Sequence, residues 1–387
     1  MLKSGWRPGC DWARHAGIPP GGCSVQREYP GAVPAAPLVF VRDGRGWVGA
    51  GTLDRADFDG ASQIRDAAAW WRATSPRLAP STVAFGAFAF DPETSATGGV
   101  LLVPAIAERI TEGLGGQAGA GAMVDAVVNP GDMLPAAYEA AVADAVAVIE
   151  RGDLDKVVLA RDVVVRGAEP IHVAGLLSAL AATNPTAAVF SVDGMVGASP
   201  ETLVAVHDGR FSARVLAGTA PAGDGDALLH SEKDLAEHRF AVASVLDGLR
   251  GLVEHVEHDA HPRLLELPRL THLATDLSGD VVGDAGVLDL VAALHPTAAV
   301  AGTPTSAAIA LIRDLEPFDR GRYSGPVGWV DGRGDGEWAI ALRCARVEPD
   351  GSLRAYAGAG IVRGSNPAAE LAETDLKLRS ILDAVVG

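Results

Sequence analysis

The sequence predicts an α+β protein built on large, mainly antiparallel sheets. Its apolar runs are short, rich in β-branched residues and bounded by glycine or proline, which is typical of strands. Many of these runs follow one another with few helices between them that could return a parallel strand. With 387 residues, of which 48% are hydrophobic, the chain is long enough for one large domain or two ordinary ones.

Strands are expected at the short apolar runs, and loops at the glycine-rich segments. Residues 1–30, rich in Gly, Pro and Cys, are expected to be irregular, and Glu112–Ala122 is expected to form a loop. The predicted strands are Pro37–Val48, Val83–Phe90, Leu154–Arg166, Ala187–Val192, Ala198–His207, Arg210–Gly218, Pro326–Asp331, Glu337–Val347 and Leu353–Gly360.

Helical spacing of apolar residues is confined to a few segments. Gly152 suits the end of the first of them, and Asn366 with Pro367 has the residue types of an N-cap and a first helical turn. The predicted helices are Pro135–Glu150, Asp226–Val256, Thr305–Arg313 and Asn366–Val385.

The net charge of -17 limits the partners of this protein. So acidic a surface repels nucleic acid and anionic membranes, and neither is expected as a partner. A small anionic substrate needs a local basic pocket. No run of 18 apolar residues predicts a membrane span, and the N-terminal residues lack the apolar core of a secretory signal. Three cysteines without a CxxC pair suit a reducing cytoplasm, and no sequence pattern indicates an obligate interface, so a cytoplasmic monomer is expected.

Only four lysines occur, at positions 3, 156, 233 and 377, against 28 arginines (32 basic residues less four). Arginine stays protonated in proteins, whereas a buried lysine can lose its proton near neutral pH and act as a base. A lysine retained in such a chain is therefore a candidate for a role that arginine cannot fill. Lys156, Lys233 and Lys377 lie in dense, motif-like segments, and this indicates proton transfer and an anion site.

Lys156 and Glu201 are candidates for the proton-transferring pair. In LDKVVLAR, Lys156 shares one strand face with Val158 and Ala160. An amine on an apolar face is desolvated, which lowers its pKa as a general base requires; a lysine at the strand edge could instead extend into water. Glu201 in ASPETLV follows a proline and opens an apolar strand, so it is either a partnered carboxyl group, a general acid or a surface charge.

Two acidic helix faces could together hold a hard cation. Glu370, Glu373 and Lys377 share one face of the last predicted helix, and Asp234 and Glu237 are three residues apart on another. Carboxylates without a Cys/His cluster suit Mg²⁺. The alternative is a pair of solvated helix faces with an internal Glu–Lys pair.

Two further patterns resemble a cofactor site and a metal site, but neither is predicted to be one. GAGIVRGSNP brings three glycines to a helix start, but its GxGxxxG spacing and its place near the chain end do not match a dinucleotide-binding fingerprint. His255, His258 and His261 suggest zinc, but the third histidine drifts off a helical face that Pro262 would end. A solvated acidic and imidazole-rich loop is expected there.

Eight motifs, in order, resemble the chorismate-utilising enzymes. They are KVVLAR, ASPETLV, LAGTAP, KDLAEH, HPTAAVAGTP, EPFDRGRYSGPVGW, ALRCA and GAGIVRGSNPAAELAETDLK. The resemblance is close from about Pro135 to the C-terminus and loose over the first 130 residues, where VAFGAFAFD carries most of it. It implies one α+β domain over residues 1–387, with a divergent part at 1–130 and the motifs at 131–387. It also implies two packed antiparallel sheets, an inner cleft, and Mg²⁺ that bridges the protein to the ring carboxylate of chorismate.

The resemblance implies roles for individual residues in metal binding and proton transfer. Glu237 and Glu373 would be the principal Mg²⁺ ligands, with Asp234 and Glu370 beside them ordering metal-bound water. Lys156 would be the general base and Glu201 the general acid.

The resemblance also implies a set of residues that bind chorismate. The set comprises His272 and Ala299 at the ring, Tyr323, Arg343 and the amides around Gly358 and Gly360 at the pyruvyl-ether carboxylate, Lys377 near a carboxylate, and Gly218 with Thr219 on the floor of the cleft.

Three positions indicate which member of the family the chain is most similar to. Lys156 favours water as the nucleophile, because the amine-transferring anthranilate enzymes usually lack a lysine there. Ala217 stands where some aminodeoxychorismate synthases have the lysine of KGT, and Ala299 where salicylate and anthranilate synthases have threonine. LAGTAPAG departs from the family in lacking basic residues after GT.

The expected activity is therefore Mg²⁺-dependent conversion of chorismate into isochorismate, for menaquinone, a siderophore or salicylate. The alternatives are salicylate formation, anthranilate or aminodeoxychorismate formation as a component I subunit, and non-catalytic chorismate binding.

Overall fold

The structure is a computed structural model, and the residues described are 37–114, 125–221, 223, 225–266 and 270–386. The expectation that residues 1–30 are irregular concerns residues outside these ranges, as does most of the loop expected at Glu112–Ala122. Cys10 and Cys23 also lie outside them, and Cys344 is a buried free thiol.

Besides a short 3-10 helix at Ser75–Arg77, eight α-helices occur in the described ranges. They are α1 (Gln63–Thr74), α2 (Pro135–Glu150), α3 (Val173–Thr183), α4 (Gly225–His230), α5 (Glu232–Gly248), α6 (Val287–Leu294), α7 (Thr305–Leu315) and α8 (Pro367–Val386). The start of α8 confirms the predicted cap, since Asn366 Oδ1 accepts a hydrogen bond from Ala369 N at 3.0 Å. None of these helices is long and apolar enough to cross a membrane.

Twenty strands form two sheets of ten within the described ranges, and every strand pairing is antiparallel. The first sheet contains β1 (Leu38–Arg42), β2 (Arg45–Ala50), β6 (Ile106–Ile110), β7 (Val127–Pro130), β8 (Lys156–Arg166), β9 (Ala188–Val192), β10 (Met195–Ser199), β16 (Gly302–Thr303), β19 (Cys344–Val347) and β20 (Leu353–Val362). The second contains β3 (Asp54–Phe58), β4 (Val83–Ala87), β5 (Gly99–Val103), β11 (Thr202–His207), β12 (Arg210–Pro221), β13 (Val253–His258), β14 (Arg263–Glu266), β15 (Leu270–Val281), β17 (Pro326–Asp331) and β18 (Gly336–Ile340).

The two sheets pack face to face through a shared apolar core. Phe40, Phe190 and Tyr356 of the first sheet lie in one cluster with Phe85 and Trp329 of the second. Alternation along the strands sends every second side chain into this layer, where burial of apolar area stabilises the fold. The α+β prediction with large antiparallel sheets is confirmed.

Helices cover the outer faces of both sheets. Leu176 of α3 and Leu378 of α8 pack with Val163 on the outer face of the first sheet. Trp71 of α1 and Val291 of α6 belong to the cluster that covers the second. The sheet pair therefore lies inside a shell of helices.

The long helix predicted over Asp226–Val256 is wrong. The Ser231 side chain accepts a hydrogen bond from Asp234 N and caps a new helix, so α4 and α5 are separate. The chain turns at Gly251, whose φ is +80°, and continues as β13. His255 and His258 therefore lie on a strand, so the loop expected there is wrong, although the expected solvated character is confirmed.

The single strand predicted over Glu337–Val347 is also wrong. Residues up to Ile340 belong to the second sheet, and residues from Cys344 belong to the first. Between them Arg343 has a φ of 49°, the left-handed region that non-glycine residues seldom adopt. The apolar pattern continues through this change of sheet because both halves face the core.

Candidate active site

The chain passes from one sheet to the other at two adjacent places. β10 of the first sheet is followed by β11 of the second, and Glu201 lies between them. β18 of the second sheet is followed by β19 of the first, and Arg343 lies between those. A carboxyl group and a guanidinium group thus both start from the junction of the sheets.

Hydrogen bonds join these two crossovers. Ser199 Oγ donates to Ile340 O at 2.6 Å, and Ile340 N donates to Glu201 O at 3.1 Å. Ala198 N donates to Arg343 O at 3.2 Å. The backbones that carry Glu201 and Arg343 are therefore fixed relative to each other, which is the rigidity that a site of defined geometry needs.

Lys156 and Glu201 line one cavity of about 310 Å³, together with Ala299. Lys156 begins β8 and is half-buried, and Val158 and Ala160 on the same strand face are buried. A Cβ placed on Gly360 would lie 3.1 Å from Lys156 Cε and 3.8 Å from its Nζ. The amine thus lies beside β20, which carries Gly358 and Gly360, at the wall of a cavity.

Burial raises the pKa of the Glu201 carboxyl group above its usual range, while the charges of Lys156, Lys377 and Arg343 oppose that rise. The protonated form of Glu201 is therefore favoured. Arg343 and Lys377 act on Glu201 through their charges, although neither lines this cavity.

Lys377 is held against the glycine strand by two polar contacts. Its Nζ lies 2.6 Å from Glu373 Oε1 and donates a hydrogen bond to Gly358 O at 2.8 Å. Both residues are on α8, four positions apart, so the internal Glu–Lys pair that the sequence suggested is present. The face of α8 that carries them borders the site.

His272 on β15 lies opposite Thr219 of β12 in the strand register. Burial lowers the pKa of the His272 ring, and the charges of Lys377 and Arg343 lower it further, against a hydrogen bond to the Gly218 backbone and the charge of Glu373. The ring is thus neutral at neutral pH. The side chain of Thr219 lies outside the described residues.

Tyr323 is buried and stacks on Tyr356, with ring centroids 4.9 Å apart and an interplanar angle of 14°. Its hydroxyl group faces β20, since a Cβ on Gly358 would lie 3.3 Å from it. Burial raises the pKa of Tyr323, so the hydroxyl stays protonated and can donate. A glycine at 358 leaves the space that this hydroxyl needs.

β12 is irregular at Gly218 and Thr219, the residues predicted to form the floor of the cleft. The register with β15 shifts between Leu216 and Thr219, and Gly218 has a φ of +81° that favours glycine. His238 of α5, which is buried, donates through Nδ1 to Ala217 O at 3.1 Å, and its Nε2 lies 2.8 Å from Thr275 Oγ1. His238 thus fixes the bulge, although the sequence assigned it no role.

The predicted metal ligands lie on α5 and α8. Asp234 is beside the floor, because a Cβ on Gly218 would lie 3.4 Å from Asp234 Cβ. Glu373 of α8 acts on the pKa of His272, as does the backbone of Gly218, the residue that Asp234 approaches. The pKa of the half-buried Glu370 is raised by burial, with the charge of Glu373 adding to that rise. The Glu237 side chain lies outside the described residues.

Within the described ranges, no three His, Cys, Asp or Glu side chains cluster closely enough to hold a metal ion. The donors that α5 and α8 offer are carboxylates, and oxygen donors of this kind are those that Mg²⁺ takes in proteins. The chemistry of the predicted ligand set thus fits Mg²⁺, and the metal site stays a prediction.

A buried ion pair behind the site was missed. Glu316 and Arg320 follow α7, with side chains 2% and 3% exposed, and Arg320 Nη2 lies 2.5 Å from Glu316 Oε1. The motif EPFDRGRYSGPVGW contained them, but the sequence reasoning used only its tyrosine. The two residues stand four positions apart in a charged segment outside any helix, so no clear signal in the sequence indicates that they form a buried pair.

The two packed antiparallel sheets, with Lys156 and Glu201 at one cavity, can be compared with known proteins. The family model described as chorismate binding enzyme matches residues 118–386. The chain belongs to this family, as the sequence motifs predicted.

Curated relatives and solved structures agree with this assignment. The chain is 39% identical over 272 residues to isochorismate synthase DhbC of Bacillus subtilis, covering 65% of this chain and 68% of that protein. It is also 39% identical over 259 residues to isochorismate synthase EntC of Escherichia coli K12, covering 64% and 66% respectively. The alignments thus span about two thirds of these relatives. The crystal structure of a putative 2,3-dihydroxybenzoate-specific isochorismate synthase, DhbC of Bacillus anthracis, matches with a TM-score of 0.79 and 31% identity, covering 90% of this chain and 96% of that one.

Proposed function

We propose that this protein is an isochorismate synthase that converts chorismate into isochorismate with the help of Mg²⁺. The observation that carries the proposal is the surroundings of Glu201. This carboxyl group has a raised pKa, shares a cavity with Lys156 and is acted on by two further cations, Arg343 and Lys377. The names of the relatives point to the same reaction.

The cations suit a substrate with two carboxylates. The whole chain carries a charge of -17 and repels a dianion. Arg343 and Lys377 supply positive charge that acts on Glu201, and Tyr323 adds a protonated hydroxyl as a donor beside Gly358. We assign Arg343, Tyr323 and the β20 amides to the pyruvyl-ether carboxylate, and Lys377 to a position near a substrate carboxylate.

The reaction exchanges one hydroxyl group for another. Lys156, as the general base, takes a proton from water as the oxygen attacks C2 of the ring. The ring double bonds shift, the C4–oxygen bond breaks, and Glu201 gives its proton to the departing hydroxyl, which leaves as water. One water is consumed and one is released, so the net change is an isomerisation. General acid and general base catalysis each contribute about 10²–10⁴-fold in rate.

Glu237 and Glu373 would hold Mg²⁺, with Asp234 and Glu370 nearby. The metal supplies positive charge that orients the ring carboxylate and stabilises the polarised ring. His272, kept neutral by burial and by the neighbouring cations, faces the ring without adding charge.

Product analysis tests the proposal. The full chain is incubated with chorismate and MgCl₂, and the products are separated by chromatography. Isochorismate that accumulates without pyruvate is the expected result. Salicylate with equimolar pyruvate would identify a salicylate synthase, and fluorescent anthranilate formed only with ammonium would identify an amine-transferring enzyme. Unchanged chorismate in the presence of binding would indicate a non-catalytic protein.

A further inference from the structure

Glu316 and Arg320 form a closed, buried unit behind the proposed site. Arg320 donates through Nε to Glu316 Oε2 at 2.8 Å and through Nη2 to Glu316 Oε1 at 2.5 Å. The guanidinium carbon of Arg320 lies 4.4 Å from the centroid of the Phe90 ring, which adds a cation–π contact. Bidentate geometry of this kind is the strong form of an Arg–carboxylate pair.

The Glu316–Arg320 pair supplies hydrogen-bond partners for backbone groups on one edge of β8. β8 pairs with β16 at Lys156 and Val157 and with β7 from Val163 onward. Between those two partners the Glu316–Arg320 pair covers the strand edge: Ala160 N donates to Glu316 Oε1 at 2.7 Å, and Val158 O accepts from Arg320 Nη2 at 2.7 Å. The ion pair therefore fixes β8 two residues beyond Lys156.

Arg320 also reaches two other segments of the site. Its Nη1 donates to Val300 O at 3.1 Å, next to Ala299. Its own carbonyl accepts from Tyr323 N at 3.0 Å. Arg320 thus forms hydrogen bonds with the three segments that carry Lys156, Ala299 and Tyr323.

Burial of the charged Glu316 and Arg320 side chains lowers the free energy gained on folding. Taking a carboxylate and a guanidinium out of water costs several kcal/mol per ion, and apolar side chains of similar size often fill such a volume as well or better. Apolar side chains, however, cannot satisfy Ala160 N, Val158 O and Val300 O together. The arrangement is therefore better suited to fixing backbone positions than to filling a core.

We propose that Glu316 and Arg320 are positioning residues, which set the distance from the Lys156 amine to the substrate ring through β8 and the segment at Val300. This inference rests on the proposed isochorismate synthase function. Misplacement of a catalytic group by about 1 Å can cost on the order of 10²-fold in rate, and a loss of that size is expected when the pair is altered.

The test uses the full chain with two variants of the pair. Arg320→Lys keeps the positive charge, but a single ammonium nitrogen cannot reach Val158 O, Val300 O and Glu316 together. Glu316→Gln keeps the side-chain size and removes the carboxylate charge. For each variant kcat, KM for chorismate and Tm are measured, and kcat is corrected for the folded fraction by circular dichroism. The expected result is a fall in kcat of about 10²-fold for Arg320→Lys with little change in KM.

Asp193→Asn is the matched control. Asp193 Oδ2 accepts from the buried Arg322 at 2.7 Å, so this variant also neutralises the partner of a buried arginine. Asparagine tolerates the positive φ of position 193. Asp193→Asn is expected to lower Tm about as much as Glu316→Gln does, while its kcat stays unchanged.

Three outcomes would overturn the inference: a wild-type kcat in both folded variants of the pair, an equal loss of kcat in Asp193→Asn, or the failure of both variants to fold. The last would make the pair a requirement of the fold and not of the site. Wild-type protein that forms no isochorismate would instead defeat the proposed function itself.

Discussion

Glu373 Oε1 lies 2.6 Å from Lys377 Nζ, on the face of α8 that borders the proposed site. The Glu373 carboxylate is a predicted metal ligand, and it also pairs with Lys377. The charge of Lys377 in turn acts on Glu201 and His272. Loss of the Glu373 charge should affect both partners, and the metal requirement can be measured separately.

Glu373→Gln is expected to raise the Mg²⁺ concentration needed for half-maximal activity at least about tenfold, since a neutral amide binds Mg²⁺ more weakly than a carboxylate does. The measurement is a Mg²⁺ titration of isochorismate formation at saturating chorismate. Glu150→Gln, at an exposed position of α2, is the control and should leave the titration unchanged. An unaltered titration in Glu373→Gln would remove the ligand assignment.

Lys156→Ala is expected to lower kcat by about 10²–10⁴-fold, as the loss of a general base does, while chorismate still binds. Lys156→Arg should fail nearly as badly, because arginine stays protonated and cannot accept a proton. Single-turnover assays and chorismate binding by calorimetry distinguish loss of chemistry from loss of affinity. Normal turnover by a folded Lys156→Arg protein would contradict the base role.

The pH dependence of kcat should report Glu201. A carboxyl group donates only while protonated, so kcat is expected to fall as the pH rises through the folded-state pKa of Glu201. Because burial raises that pKa, the fall should occur at a higher pH than the ionisation of an exposed glutamate. Lys377 lowers the same pKa through its charge, so Lys377→Gln should move the fall to a still higher pH.

The pH measurement uses saturating chorismate, so that weaker substrate binding in Lys377→Gln does not enter kcat. Arg379→Gln, which removes an exposed charge from the same helix, should leave the profile in place. A shift toward lower pH in Lys377→Gln would contradict the assignment of Glu201 as the acid.

Gly360→Ala is expected to lower kcat on the order of 10–10²-fold through displacement of Lys156. The new methyl group would lie 3.1 Å from Lys156 Cε, and the flexible end of the lysine would move to accommodate it. Tm should change little, because no backbone atom approaches that methyl group within 4 Å. In Gly332→Ala, used as the control, the nearest atom is 3.9 Å away, and both kcat and Tm should be unaffected.

Local patterns in the sequence were sufficient for much of the site. β-branched runs predicted most of the strands, and helix-cap residues predicted the start of α8, because both depend on neighbours along the chain. Lys156 on its apolar strand face was found in the same way. The long helix over Asp226–Val256 failed because Ser231 as a new cap and the pairing of β13 with β15 outweighed a helical apolar pattern.

The change of sheet at Arg343 could not be predicted from the apolar pattern of Glu337–Val347, which is the same in both sheets. The Glu316–Arg320 pair was missed for a related reason. Its partners, Val158, Ala160 and Val300, are distant in sequence, and backbone atoms that lack a strand partner leave no signature in side-chain identities.

The positions of Glu201 and Arg343 depend on how the two sheets pack against each other, because the chain crosses from one sheet to the other at both residues. Neither sheet therefore carries them by itself. Rotation of one sheet against the other would strain the hydrogen bonds that join the two crossovers. Substitutions deep between the sheets, such as at Trp329, should therefore lower the stability of the fold before they change the spacing of these two residues.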